Sequence, residues 1–199
     1  MRHSPTLGRR AFLRAGAALA ASGVAAPALS QSLPDTVQME QPPSRMVPRN
    51  VMSFRSRDWR PYFSNLRRGA ILVDIDSRAL HMWDEGGNHM LFPSSVPQSE
   101  DMTRRGRTRV VRMVVGPSWA PTPNMRRRNP EWPAYVPPGP DNPLGTHALY
   151  LSWTYYRIHG THDARKIGRK SSSGCIGLYN EHIAQVYART RVGTQVLVI

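Results

Sequence analysis

The sequence predicts a mainly-β domain, a sheet sandwich or a partly open barrel, with one or two short helices and a long Pro/Gly-rich lid loop. Three observations predict it. Short β-branched runs recur between turn signals, a single stretch repeats apolar residues at helical spacing, and residues 117–146 are rich in proline and glycine with no period.

The chain opens MRHSPTLGRRAFLRAGAALAASGVAAPALSQ. Arg9 and Arg10 precede a weakly apolar run from Ala15 to Ala28, and Ala28-Leu29-Ser30 offers small residues for cleavage. Paired arginines before a modest apolar run read as a twin-arginine export signal over residues 1–30. That run is about 14 residues, short of the roughly 20 needed to span a bilayer. The expectation is a periplasmic protein with no stable membrane span after signal cleavage. Residues 31–64, with Pro34, Pro42, Pro43 and Pro48, read as a Pro-rich linker or extended arm, and residues 65–199 as the folded domain.

Within that domain, Ala70–Ile75 and Arg78–Trp83 read as a hairpin turning at Asp76-Ser77. Thr108–Gly116 is a third strand, HALYLS and YYRIHG two short ones, and GTQVLVI a last strand. Ile183, Val186 and Tyr187 recur at i, i+3, i+4, which predicts a helix over NEHIAQVYART with Asn180 as its cap. Between the strands, residues 117–146 hold Trp119, Trp132 and the run Arg126–Arg128. A loop this long in a compact domain is a functional cover or is disordered, and two tryptophans favour an ordered substrate lid.

The chain has 27 Lys and Arg against 13 Asp and Glu, a formal net charge of +14. Residues 1–30 hold four of the arginines and no acid, so removing them leaves a net charge of about +10. An exported chain has no nucleic acid as its default partner. The anions it meets are lipid headgroups and the carboxylate-bearing peptides of the cell wall. With one cysteine, Cys175, no internal disulfide is possible. The histidines show no tight metal-ligand spacing, so no metal site and no cofactor are expected. Cys175 is therefore a buried thiol, an intermolecular bridge or a reactive group.

Its surroundings favour reactivity. The stretch YRIHGTHDARKIGRKSSSGCIGLYNEHI places His159 at a strand end and Cys175 just before a helix. If the intervening loop folds back, the histidine can act as the base a thiol needs. Gly174 and Cys175 N–H groups would then face a developing oxyanion. The constellation lacks an acidic orienter in sequence, which leaves the imidazole to a backbone carbonyl. His162, Asp163 and His182 read as loop or surface residues, and Tyr150, Tyr155 and Tyr156, at strand spacing, as mostly core with one placed to line the cleft.

IHGT, SSSGCIGLYNE and the terminal VGTQVLVI, together with VDIDSRALHMW, PTP and PPGPDNPLGTHALYL, resemble the catalytic domain of the L,D-transpeptidases, the YkuD-type family. The resemblance covers roughly residues 65–199. It implies Cys175 as nucleophile, His159 as base, Gly160 as the carbonyl orienting the imidazole, and Gly174 and Cys175 as oxyanion donors. Ser173, Gly177, Tyr156, Arg157 and Trp132 are the expected substrate-binding residues. It also implies peptidoglycan stem peptides as partners and no cofactor. Acyl transfer to an amine gives a cross-link, and transfer to water gives a carboxypeptidase or endopeptidase.

Two positions depart from the family pattern. Ser173 stands where His is frequent, and Gly177 stands where Arg is usual. Losing that arginine removes a fixed cation beside the nucleophile. Three consequences are open. Arg157, Arg165 or Arg169 substitutes for it; donor choice shifts toward L-Ala at stem position one, the 1,3-type cross-link; or the protein is a weak enzyme that mainly binds the wall.

Overall fold

The computed structural model describes residues 55–199. The expected export signal and residues 31–54 of the expected arm lie outside the described residues. No helix among the described residues is long and apolar enough to cross a membrane.

Ten strands and two helices follow in order: β1 (Ala70–Asp74), β2 (Ala79–Trp83), β3 (His89–Pro93), β4 (Val96–Pro97), β5 (Gly106–Val115), α1 (Pro123–Arg128), β6 (His147–Leu151), β7 (Arg157–His159), β8 (Lys170–Ser172), β9 (Ile176–Gly177), α2 (Asn180–Arg189) and β10 (Gln195–Val198). Eight strands form one curled sheet in the order β3-β2-β1-β10-β5-β6-β7-β9, and β4 pairs with β8 beside it. The mainly-β, half-barrel architecture expected from the sequence is the one observed.

The long strand β5 joins two halves of this sheet. Its first residues, Gly106–Arg109, pair with β10, and Val110–Val115 pair with β6. A register shift between Val110 and Arg112 marks the passage. An irregularity of this kind bends a strand and raises its local twist, which is how one strand can serve two sheet directions.

In the half built from β1, β2, β3 and β10, strands β1 and β2 are buried on both faces. Ile71 and Val73 point into the main core with Leu80, Met82, Val196 and Val198. Ala70 and Leu72, the alternate residues, meet Phe63, Leu66 and Trp83 on the other face. This double burial is why β1 reads as an unbroken apolar run. It also moves a boundary. Trp59, Tyr62 and Phe63 pack on the outer face, so packed structure begins before residue 65 and the last part of the expected arm belongs to the domain. Arg57 reinforces it, reaching Asp74 at 2.5 Å and the Tyr62 hydroxyl at 2.8 Å.

The expected hairpin is present, with Asp74 Oδ1 accepting from the Asp76 and Ser77 N–H groups in the turn. Helix α2 lays Ile183 and Val186 into the main core. Its cap differs from the expectation. Tyr179 takes the cap position with no side-chain bond, and Asn180 is already helical. The strand expected at Tyr155 starts later, because Tyr155 has φ +67° and cannot continue an extended run. Strands β3, β4, β8 and β9 were not anticipated.

Candidate active site

β7 and β9 are short, but their pairing builds the site. They run parallel, with Ile158 beside Ile176 and His159 beside Gly177. Ile158 and Ile176 enter the core. Side chains alternate along a strand, so Arg157 and His159 face the opposite side, as do Cys175 and Gly177. The register therefore sets Cys175 next to Arg157 and Gly177 next to His159.

His159 is held by its own neighbour. Its Nδ1 lies 2.5 Å from the Gly160 carbonyl oxygen, which can only accept, so Nδ1 carries the proton and Nε2 is left as the basic nitrogen. Burial pushes the imidazole down to about 4; the Gly160 carbonyl opposes this, and the charges of Arg157 and Lys166 add to it. Burial raises the Cys175 thiol, while Arg157 pulls it back through its charge, its backbone N–H and its side chain. Both groups keep part of their surface open to a cavity, so a reactant can reach a pair that is otherwise surrounded by protein. At neutral pH the resting pair is a thiol and a neutral imidazole. The thiol donates to the Tyr155 carbonyl at 3.4 Å.

The turn before Cys175 depends on glycine and serine. Gly174 has φ +126°, and a Cβ there would approach the Met102 carbonyl and the Tyr156 ring. The Ser172 hydroxyl donates to the Cys175 carbonyl at 2.5 Å and accepts from the Gly174 N–H at 3.3 Å. Of the two expected oxyanion donors, Gly174 is thus tied weakly to a hydroxyl in the resting loop. Among the described residues the Cys175 N–H has no side-chain acceptor.

Gly177 is closely packed. A Cβ there would lie 2.4 Å from Ser95 Oγ and 4.0 Å from His159 Cε1. Ser95 and Gly177 also exchange backbone bonds, Ser95 N–H to Gly177 O at 2.8 Å and Gly177 N–H to Ser95 O at 3.1 Å. The hydroxyl of Ser95 occupies the space where the family's arginine would begin.

The cavity above these residues measures about 870 Å³. Cys175, His159, Arg157, Tyr156, Ser173 and Trp132, all anticipated from sequence, line it. Its roof is the stretch 117–146, which is braced by internal hydrogen bonds. Thr122 Oγ1 accepts from Met125 N at the start of α1, and Trp119 bridges to Val136. The buried Asn142 donates to the Val136 and Pro137 carbonyls and accepts from the Leu144 N–H. Helix α1 turns the Arg126–Arg128 run into a feature of the roof, with Arg127 and Arg128 at the cavity. Of the three candidate substitute arginines, Arg157 lines the cavity. Arg165 is paired with Asp163 at 2.8 Å. Ser95, Lys166 and Ser172 also line the cavity and were not singled out from sequence. Among the described residues no group of three or more His, Cys, Asp or Glu is placed to hold a metal ion.

The YkuD family, described as the L,D-transpeptidase catalytic domain, matches residues 68–198. A Fuscovulum blasticum protein named as an L,D-transpeptidase in the ATP synthase subunits region (ORF 5) is 53% identical over 98% of both chains. The Escherichia coli (strain K12) protein named as the L,D-transpeptidase ErfK/SrfK is 38% identical over 66% of this chain and 44% of its own length. The chain thus spans under half the length of this longer relative. An L,D-transpeptidase structure from Mycobacterium smegmatis superposes with a TM-score of 0.53 at 20% identity, over 66% of this chain and 58% of that one, a likeness of fold.

Proposed function

The chain belongs to the YkuD family of L,D-transpeptidase catalytic domains, and from that premise we propose an exported, periplasmic enzyme that cross-links peptidoglycan stem peptides through a thioester on Cys175. One observation carries the mechanism. The β7–β9 register sets the thiol beside Arg157 and the carbonyl-oriented imidazole beside Gly177, under one cavity.

In this reading His159 Nε2 takes the thiol proton as Sγ attacks the donor carbonyl. The Cys175 N–H, joined by Gly174 as it leaves Ser172, stabilises the oxyanion. The imidazolium returns the proton to the leaving amine, the C–N bond breaks, and a thioester remains. An acceptor amine then attacks the thioester and gives its proton to His159. The new amide forms as sulfur leaves, and the thiol recovers the proton. Water in place of the amine yields a trimmed stem. Arg157 lowers the energy of each thiolate-like stage, the task a cation at position 177 would otherwise share. The roof 117–146 acts as the substrate lid, and Arg127, Arg128 and Lys166 face the stem's carboxylates.

Donor choice rests on Gly177. A side chain there would start 4.0 Å from the base and meet Ser95 Oγ. Keeping that flank free of a long cation favours the 1,3-type donor, L-Ala, whose leaving peptide is much larger than D-Ala. The test is to incubate the protein and its Cys175→Ala variant with muropeptides and sacculi, then locate new bonds by fragmentation mass spectrometry. Cysteine-dependent dimers joined through L-Ala support both parts. Dimers joined only between diaminopimelates overturn the donor assignment. No cysteine-dependent product overturns the enzyme.

A further inference from the structure

Three segments distant in sequence meet at one side chain outside the cavity. Asn180, the first residue of α2, turns its Oδ1 away from its own helix end. There it accepts from the Thr146 N–H at 3.1 Å and the Thr161 N–H at 3.2 Å. The first donor lies at the root of the lid and the second directly follows Gly160, whose carbonyl orients His159.

The packing around that oxygen is close. A Cβ at Gly145 would lie 2.1 Å from Asn180 Oδ1, and one at Gly160 would lie 2.2 Å from it. Gly145 is also 2.4 Å from the Thr161 N–H nitrogen by the same measure, so the lid root and the catalytic turn touch backbone to backbone. Gly160 is fixed from the other side as well, its N–H donating to the His147 carbonyl at 3.0 Å. The two glycines make room for one acceptor, and that acceptor takes both N–H groups and so ties the two segments to the start of α2.

We propose that Asn180 is a positioning residue for the base: it fixes the Gly160 peptide against which His159 is oriented, and it couples that turn to the root of the lid. The proposal rests on His159 being the base of the proposed reaction. Asn180 touches neither the thiol nor the imidazole; it acts through the Gly160 carbonyl. Helix capping, the ordinary role of an asparagine here, is not what its oxygen does.

The experiment compares the purified chain with Asn180→Ala and Asn180→Asp. It follows kcat and KM on muropeptides, and the pH profile of Cys175 alkylation by iodoacetamide. The acid limb of that profile reports the imidazole, whose neighbouring charges are Arg157 and Lys166. Alanine is expected to lower kcat roughly 10- to 100-fold with KM changed less than about twofold. It should also move the acid limb to lower pH, because the Gly160 bond is what holds the imidazole up. Aspartate keeps the acceptor and adds a charge that favours imidazolium, so it should recover most of kcat and move the limb to higher pH. An alanine variant with wild-type kcat and limb overturns the proposal. So does one that loses kcat with the limb unmoved and no recovery by aspartate. If alanine does not fold, the aspartate's upward shift is the deciding result, and its absence overturns the proposal. Alkylation limbs that shift as expected in a protein making no cysteine-dependent product would leave the positioning role standing and remove the proposed function.

Discussion

Each half of the sheet holds a histidine whose pKa burial lowers, and the two differ in what they can do. In the β1–β2–β3–β10 half, His81 is 1% exposed, stacked on Trp83 and 3.1 Å from His89. In the β5–β6–β7–β9 half, His159 lies at the cavity with Nδ1 on a backbone carbonyl. Burial drives both imidazoles down to about 4. A depressed pKa therefore does not mark the base. What sets His159 apart as the proposed base is an Nδ1 bonded to a backbone carbonyl, a thiol across the strand pair, and a cavity from which a substrate can approach. The first half spends its side chains on packing. The second half is held by side chain-to-backbone bonds from Ser172, Asn142 and Asn180, and by glycines that admit close approach.

The largest effect that would break this comparison lies in the second half. Cys175→Ala is expected to abolish cross-linking, and His159→Gln to lower it by about 10²–10⁴-fold, with melting temperatures near wild type. Activity retained in either, assayed on muropeptides, would put the chemistry elsewhere.

Next comes the first half. Leu72→Ala removes a side chain buried on the outer face and should reduce unfolding free energy by about 2–5 kcal/mol. The folded fraction should keep its kcat. Urea denaturation paired with turnover at low temperature separates the two.

Gly177→Arg sharpens the comparison at the boundary between packing and chemistry. The new Cβ collides with Ser95 Oγ, so the hydroxyl must turn to another rotamer, while Ser95 Cβ on its backbone-paired segment stays 3.7 Å away. A loss of about 1–3 kcal/mol is expected, with part of it recovered in a Ser95→Gly, Gly177→Arg double variant. Additive effects in that cycle would show that the hydroxyl and the glycine are unrelated.

The smallest effect concerns pH. His81 is neutral when folded and has a pKa near 6.5 when unfolded, so the unfolded chain binds more protons between those values. Stability should therefore fall as pH drops from about 6.5 toward 4, and hold steady above. His81→Gln should flatten part of the slope in melting temperature, by an amount of order 1 kcal/mol across the window. The remaining slope belongs to His159, His89 and His147, which burial also lowers. An unchanged slope would mean that His81 is not held neutral by the fold.

Legibility in the sequence follows the same division. β1, β2, β5, β6, α2 and β10 were readable because apolar periodicity records burial. β8 and β9 were not, since strands of three and two residues carry no period and exist through their partners. Cys175 and His159 were singled out by residue type, spacing and the family motif, and the fold brings both to one cavity. The role of Ser95 was not, because it lies far away in sequence and reaches the site through an isolated bridge to Gly177. Asn180 was legible as a helix-start residue and was assigned to its own helix. Its real partners belong to two loops that only the fold brings there.

The central claim is that Cys175 carries the acyl group. Intact-protein mass spectrometry after brief exposure to donor stem peptides tests it directly. The account predicts an adduct equal to the donor's acyl portion on the wild-type chain, discharged by an added amine and absent from Cys175→Ala. Cross-linked product formed at undiminished rate by Cys175→Ala, with no adduct on either protein, would contradict it.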